Sequence, residues 1–244
     1  VQDSALTVAV SRAGGLGSLP CAMLTPEWLV RALEGLATAG IDNYNLNFFC
    51  HEQPEPDVER ERIWRYTLAP YYEELGIDAA KIKTGPVRQP FSEATLEAIR
   101  PFKPPVVSFH FGLPASSWVD EIRSWGGQVW SSATTVEEGC WLAGHGADVV
   151  IAQGVEAGGH RGMFLTTDLS TQRPTMELLR DLVCEVQVPV VAAGGLATPA
   201  KVARALDAGA WAVQVGSAYL CCDEATTSPL HREQLQNADA HGTQ

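Results

Sequence analysis

Two kinds of segment alternate along the chain. The first is short, apolar and rich in Val, Phe and Ala: GLGSLP (15–20), NYNLNFFC (43–50), PPVVSFHFG (104–112), GGQVWSSA (126–133), ADVVIAQG (147–154), VPVVAAGG (188–195) and WAVQVGSAYL (211–220). Apolar runs of this length, bounded by Gly, Pro or Asn, read as buried strands. The second kind repeats apolar residues at helical spacing. Trp28, Leu29, Ala32, Leu33 and Leu36 follow Thr25-Pro26, an N-cap residue with Pro at the first helical position, and Gly40 ends the run. Further helices are predicted over 117–124, after a cap at Thr134 or Thr135, and over 200–208 behind Thr198-Pro199. Another is predicted from a cap at Thr175, with Met176, Leu179, Leu182 and Val183 on one face. The segment 3–15 reads as a helix capped by Ser4, with Leu6, Ala9 and Val10 along one side.

Strand–helix alternation with fully apolar strands specifies an α/β protein whose parallel sheet is covered by helices. An open doubly wound sheet and a (β/α)8 TIM barrel both fit. Seven strands are one short of the barrel. Because the chain opens on a helix, an eighth strand is expected upstream of Val1. A C-terminal segment is likewise expected to be missing, since 237–244 carry no pattern and no covering helix clearly follows the last strand. Residues 1–244 are read as a single barrel domain. A charged, proline-bearing helical stretch at about 51–103 is read as a surface insertion over one rim.

Composition narrows the function. At 244 residues and 45% hydrophobic the chain can bury a large core. Its formal charge of −12 repels phosphate backbones, so nucleic acid is not an expected partner. No run reaches the ~20 apolar residues of a membrane helix, and no basic, apolar leader opens the chain. The six cysteines include no C-x-x-C pair, and no Cys/His set has zinc-like spacing, so no metal site is expected. The setting expected is cytoplasmic and reducing. Vicinal Cys221 and Cys222 read as packing residues, with a redox role the less favoured reading.

In such barrels the chemistry sits on the loops after the strands, and here glycine gathers in the last three. Gly194-Gly195 and Gly216-Ser217 end adjacent late strands, the usual place for a phosphate held by backbone N–H groups. The loop after 147–154 reads VEAGGHRG, with Gly158-Gly159 directly before His160. An isolated histidine in a turn is most often a surface residue. This one follows a strand, faces the rim, and its glycines let the backbone approach a flat ligand, so it is the candidate for proton transfer; imidazole titrates near 6.5. Glu156 is either a solvated or a loop-ordering carboxylate. Arg161 pairs with an anion or with Glu156, or simply lies on the surface. Asn47 and Gln153 interrupt apolar strands near their ends, and a buried amide needs partners. Those partners lie either in a neighbouring strand's loop or on a heteroaromatic ligand, the second being favoured. Ser132 is a weaker candidate of the same kind. His110 either lines the pocket or is a core histidine bonded to backbone.

The motifs AVSRAGGLGSLP, NLNFFCH, AQGVEAGGHRG, VPVVAAGGLA and VGSAYL, in this order over nearly the whole chain, resemble the nitronate monooxygenases, formerly called 2-nitropropane dioxygenases. That resemblance implies a (β/α) barrel binding FMN noncovalently. It implies oxidation of alkyl nitronates, or of nitroalkanes, by molecular oxygen to a carbonyl compound and nitrite; whether the chain acts alone or as a homo-oligomer is left open by the sequence. His160 matches the family's catalytic histidine. Asn47, Gln153, Gly158, Gly159, Gly194, Gly195, Gly216 and Ser217 match its flavin-contacting positions. The family's opening P-[IL]-[IV]-Q-x-P-M strand and its C-terminal segment have no counterpart here. Ser132 stands where lysine is frequent. Two rival readings are a flavin-dependent enoyl reductase using NAD(P)H, which shares the barrel and a similar AGGH loop, and a flavin-binding barrel without turnover.

Overall fold

A computed structural model describes residues 3–82 and 88–237. Seven strands form one parallel sheet in chain order: β1 (Gly17–Pro20), β2 (Tyr44–Phe49), β3 (Val106–His110), β4 (Gln128–Ala133), β5 (Val149–Gln153), β6 (Val190–Ala193) and β7 (Ala212–Gln214). Each crossover carries a helix, as parallel pairing requires. The helices are α1 (Ser4–Arg12), α2 (Pro26–Thr38), α3 (Val58–Glu74), α4 (Glu93–Ile99), α5 (Ser116–Ser124), α6 (Val136–Gly144), α7 (Thr175–Glu185), α8 (Pro199–Asp207) and α9 (Pro229–Asn237).

Register and period 2 sort the strand residues onto two faces. Leu46, Phe48, Val107, Phe109 and Val129 point outward and pack with Leu29, Leu33, Leu36, Leu96 and Ile122 of the covering helices. Farther along the sheet, Val150, Ala152, Val190 and Ala192 pack with Leu142, Leu178, Leu179 and Leu182. The alternate residues Val106, Trp130, Val149, Ile151, Val191 and Ala193 form a third cluster on the inner face. Leu16, just before β1, and Ala212 of β7 both pack against that cluster, so opposite ends of the sheet approach each other. The ring of Trp130 on β4 lies 5.8 Å from that of Trp211, beside β7. In a flat sheet three strand spacings separate them by about 14 Å. The sheet is therefore curled, with a concave inner face.

Several expectations are corrected in detail. Asp3, not Ser4, caps α1, its side chain accepting from the Ala5 N–H at 2.8 Å. Thr175 is the first residue of α7 and its N-cap position is Pro174. The last apolar run is strand only over Ala212–Gln214, and Ser217–Cys221 is a 3-10 helix. A short helix, α9, does follow the last strand and packs on that 3-10 helix. The stretch 51–103 divides in two. Helix α3 has no buried residue. Helix α4 packs on α2 and buries Leu96 and Ile99, so it is an ordinary crossover helix and not part of a surface insertion. Of that stretch, 83–87 lie outside the described residues, as do 238–244 of the patternless C-terminal stretch. No described helix is long and apolar enough to cross a membrane.

Candidate functional site

The inward positions of β5 are Val149, Ile151 and Gln153, so the apolar interior gives way to an amide where the glycine loop begins. Both ends of that amide bind the loop it precedes. Gln153 Nε2 donates to the carbonyl oxygen of His160 at 2.9 Å, and Oε1 accepts from the Gly162 N–H at 2.7 Å. Gln153 thus finds its partners in the loop that follows its own strand and not in a neighbouring strand's loop. Glu156 accepts from the N–H and hydroxyl of Thr175 at 2.8 and 2.7 Å, tying the loop to the start of α7. Arg161 does not pair with Glu156; its guanidinium donates to the carbonyls of Gly154 and Val155. Glu156 and Arg161 thus order the loop, and the imidazole of His160 is left exposed.

Two aromatic rings flank that imidazole. The rings of Phe49, at the end of β2, and Phe111, just after β3, lie 5.4 and 6.1 Å from it, both edge-on. His110, the last residue of β3, is half-buried, and its Nε2 lies 3.0 Å from the His160 carbonyl. Burial holds the His110 pKa below the usual imidazole value, chiefly by desolvation of the charged form. Phe111 keeps a left-handed backbone (φ 69°), an uncommon state for a bulky residue that recurs where a site constrains the chain.

Two further loops arrive from the late strands. A Cβ on Gly194 (φ 126°) would lie 2.5 Å from Thr175 Oγ1 and 2.9 Å from the Ala157 nitrogen, so both conformation and packing require glycine there. Gly195 lies against Glu156 in the same way. Gly158 faces Ser217, whose Oγ would be 3.5 Å from a Cβ at 158, which joins the β5 loop to the one after β7. Gly159 and Gly216 border open space.

Below the rim the inner face of β1–β3 is polar. Asn45 Nδ2 donates to Ser18 Oγ and Ser108 Oγ at 2.9 and 2.8 Å, and Asn47 Nδ2 donates to Ser108 Oγ at 2.9 Å. Asn47 thus has a partner on the neighbouring strand. Asn45 Oδ1 is buried with no partner among the described residues. Ser132 is buried on β4. Among the described residues no group of three His, Cys, Asp or Glu could hold a metal ion. Two clefts of about 570 and 440 Å³ lie along α1 and α2 and include none of these rim residues.

Phe49, Phe111, Ser108 and Glu138 escaped the sequence reading. Glu138 is fully buried on α6. Its Oε2 accepts from the N–H and hydroxyl of Thr134 at 2.7 and 2.8 Å, and its Oε1 from the N–H groups of Phe164 and Leu165 at 2.6 and 3.2 Å. The carboxylate thereby fixes the chain that leaves the His160 loop. The signal was Thr135-x-x-Glu138, the spacing of a helix capping box. Thr135 does cap α6, but the carboxylate binds elsewhere.

A curled parallel sheet whose loops converge at the C-terminal strand ends, with glycines on one side and a histidine beside aromatic rings on the other, defines a protein of the (β/α)-barrel class. More narrowly, the chain belongs to the nitronate monooxygenase family, whose model matches residues 1–244. It is 37% identical to a nitronate monooxygenase of Pseudomonas aeruginosa over 248 residues, covering 100% of this chain and 70% of that protein. A nitronate monooxygenase of Paraburkholderia phytofirmans is 35% identical, with 100% and 67% covered. Among solved structures, nitroalkane oxidase from Streptomyces ansochromogenes superposes with a TM-score of 0.85 at 33% identity, covering 96% of this chain and 66% of that one. FabK from Thermotoga maritima gives 0.71 at 25% identity, with 97% and 61% covered. The chain spans about two thirds of the length of the curated relatives it matches.

Proposed function

We propose that this chain binds FMN noncovalently on the C-terminal rim and oxidises small alkyl nitronates with molecular oxygen, giving a carbonyl compound and nitrite. The observation that carries the reading is the construction around His160. Its backbone is tied down by Gln153 while its imidazole stays exposed between Phe49 and Phe111. This lies on the rim of a chain of the nitronate monooxygenase family. The residues present fit the cofactor. Gly158, Gly159, Gly194, Gly195, Gly216 and Ser217 bring three loops together with little side-chain bulk, as a phosphate held by backbone N–H groups needs. The inner face places Asn47 beneath the rim, where its side-chain oxygen can accept from a ligand edge while its amide bonds Ser108. Gln153 retains one amide hydrogen beyond its bond to the His160 carbonyl.

When bound, FMN supplies electron uptake and the reaction with oxygen. The protein's part is positional and protonic. His160 accepts the α-proton of a nitroalkane, or holds a nitronate already formed by hydrogen-bonding its anionic oxygens. Phe49 and Phe111 flank the imidazole edge-on and limit the directions it can face. His160→Asn is expected to retain FMN, seen in the visible spectrum, and to lose at least ~100-fold in nitrite release, the usual share of a general base. Undiminished nitrite release in that variant would remove His160 from the mechanism. Anaerobic bleaching of the flavin by a nitronate and not by NADH is expected; the reverse supports the enoyl reductase reading, and no bleaching by either supports a barrel without turnover.

A further inference from the structure

We propose that His110 is a positioning residue for His160: its imidazole clamps the backbone carbonyl of His160 and so fixes where that side chain stands on the rim. The inference rests on the reading of His160 as the proton-handling group and adds to it a residue that acts through the His160 backbone.

Three observations carry it. The Nε2 of His110 lies 3.0 Å from the His160 carbonyl oxygen. A carbonyl only accepts, so Nε2 bears the proton and, in the neutral ring, Nδ1 keeps a lone pair. Gln153 Nε2 donates to the same oxygen at 2.9 Å. His110 ends β3 and Gln153 ends β5, strands separated by β4, so the carbonyl is held from two sides of the sheet. The imidazole also lies against the chain two residues on. A Cβ on Gly162 would meet His110 Cε1, Nδ1 and Nε2 at 2.6, 2.9 and 3.2 Å. One ring thus donates a hydrogen bond to residue 160 and forms the floor under residue 162. The loop is rich in glycine, which has the most backbone freedom to lose on ordering. Pinning the carbonyl of the reactive residue removes that freedom where a misplacement of about 1 Å costs rate.

The test uses two variants of the protein as purified. His110→Phe keeps a ring over Gly162 and loses the donor; His110→Gln restores an N–H near the former Nε2. With saturating nitronate, kcat of His110→Phe is expected to fall about tenfold, while KM and FMN affinity stay within about twofold, and His110→Gln is expected to recover most of the loss. Independently, the ring resonances of His160 in histidine-labelled protein, assigned by their absence in His160→Asn, are expected to shift or broaden in His110→Phe and to return in His110→Gln. Unchanged His160 resonances with unchanged kcat in His110→Phe overturn the proposal. So do equal losses in both variants accompanied by a lowered Tm, which would make His110 a plain packing residue. A parent protein without nitronate turnover defeats the functional reading alone, because the resonance comparison still decides the clamp.

Discussion

His110 links the geometry of the rim to its acid stability. Burial holds its pKa below the ordinary imidazole value, whereas in the unfolded chain it titrates near 6.5. Between those two values the unfolded state binds more protons, so stability rises with pH across that window. The contribution is complete above about 6.5 and is lost as pH falls towards the folded-state pKa. We expect the urea midpoint of the parent to drop more between pH 7.5 and 5.5 than that of His110→Gln; parallel midpoints would show that His110 is not desolvated. The neighbouring residues show what the primary sequence conveys about such groups. The polar loop after β5 stood out at once, as did Gln153 at its mouth. Their partners did not, because Oε1 of Gln153 binds a backbone N–H nine residues on and Arg161 turns back on two carbonyls. Hydrogen-bond capacity is written in the residue type, but which groups meet depends on how the loop closes.

Helices α3, α4 and α6 teach the same lesson one level up. Helix α3 and helix α4 share charge and spacing, so the sequence joins them in one insertion. What separates them is that Leu96 and Ile99 meet α2 across β2, while α3 buries nothing. Helix α6 begins with a capping spacing whose carboxylate is used otherwise. Glu138 binds four donors from two segments, and a buried charge is tolerable only when paired or hydrogen-bonded in this way. Glu138→Gln presents an amide NH2 to donors and leaves buried N–H groups unmet. It is expected to cost about 2–4 kcal/mol, at roughly 1–3 kcal/mol for each unsatisfied group. It is also expected to loosen the segment at Phe164. Chemical denaturation measures the first and amide exchange at 164 and 165 the second; a loss below about 0.5 kcal/mol, the range of ordinary surface changes, would mean the donors find other partners.

Curvature of the sheet brings the loops after β2, β3, β5 and β7 to one rim. Trp130 and Trp211 report it directly, since they meet at 5.8 Å only because β4 and β7 face each other across the concave side. Trp211→Ala is expected to remove an aromatic circular-dichroism couplet from this pair and to lower stability by about 1 kcal/mol; an unaltered near-ultraviolet spectrum would mean that the two rings do not meet in solution.

The strand runs, the crossover helices and the polar, glycine-bearing loop were fixed locally, by apolar period, caps and backbone freedom, and these depend only on neighbours in the chain. Tertiary structure alone decided that His110 and Gln153 share one carbonyl, that Phe49 and Phe111 flank His160, and that Glu138 ties the start of α6 to the segment at Phe164. The contacts of His110, Phe49, Phe111 and Phe164 join segments far apart in the chain, and only the register and curl of the packed sheet bring them within hydrogen-bonding or van der Waals reach.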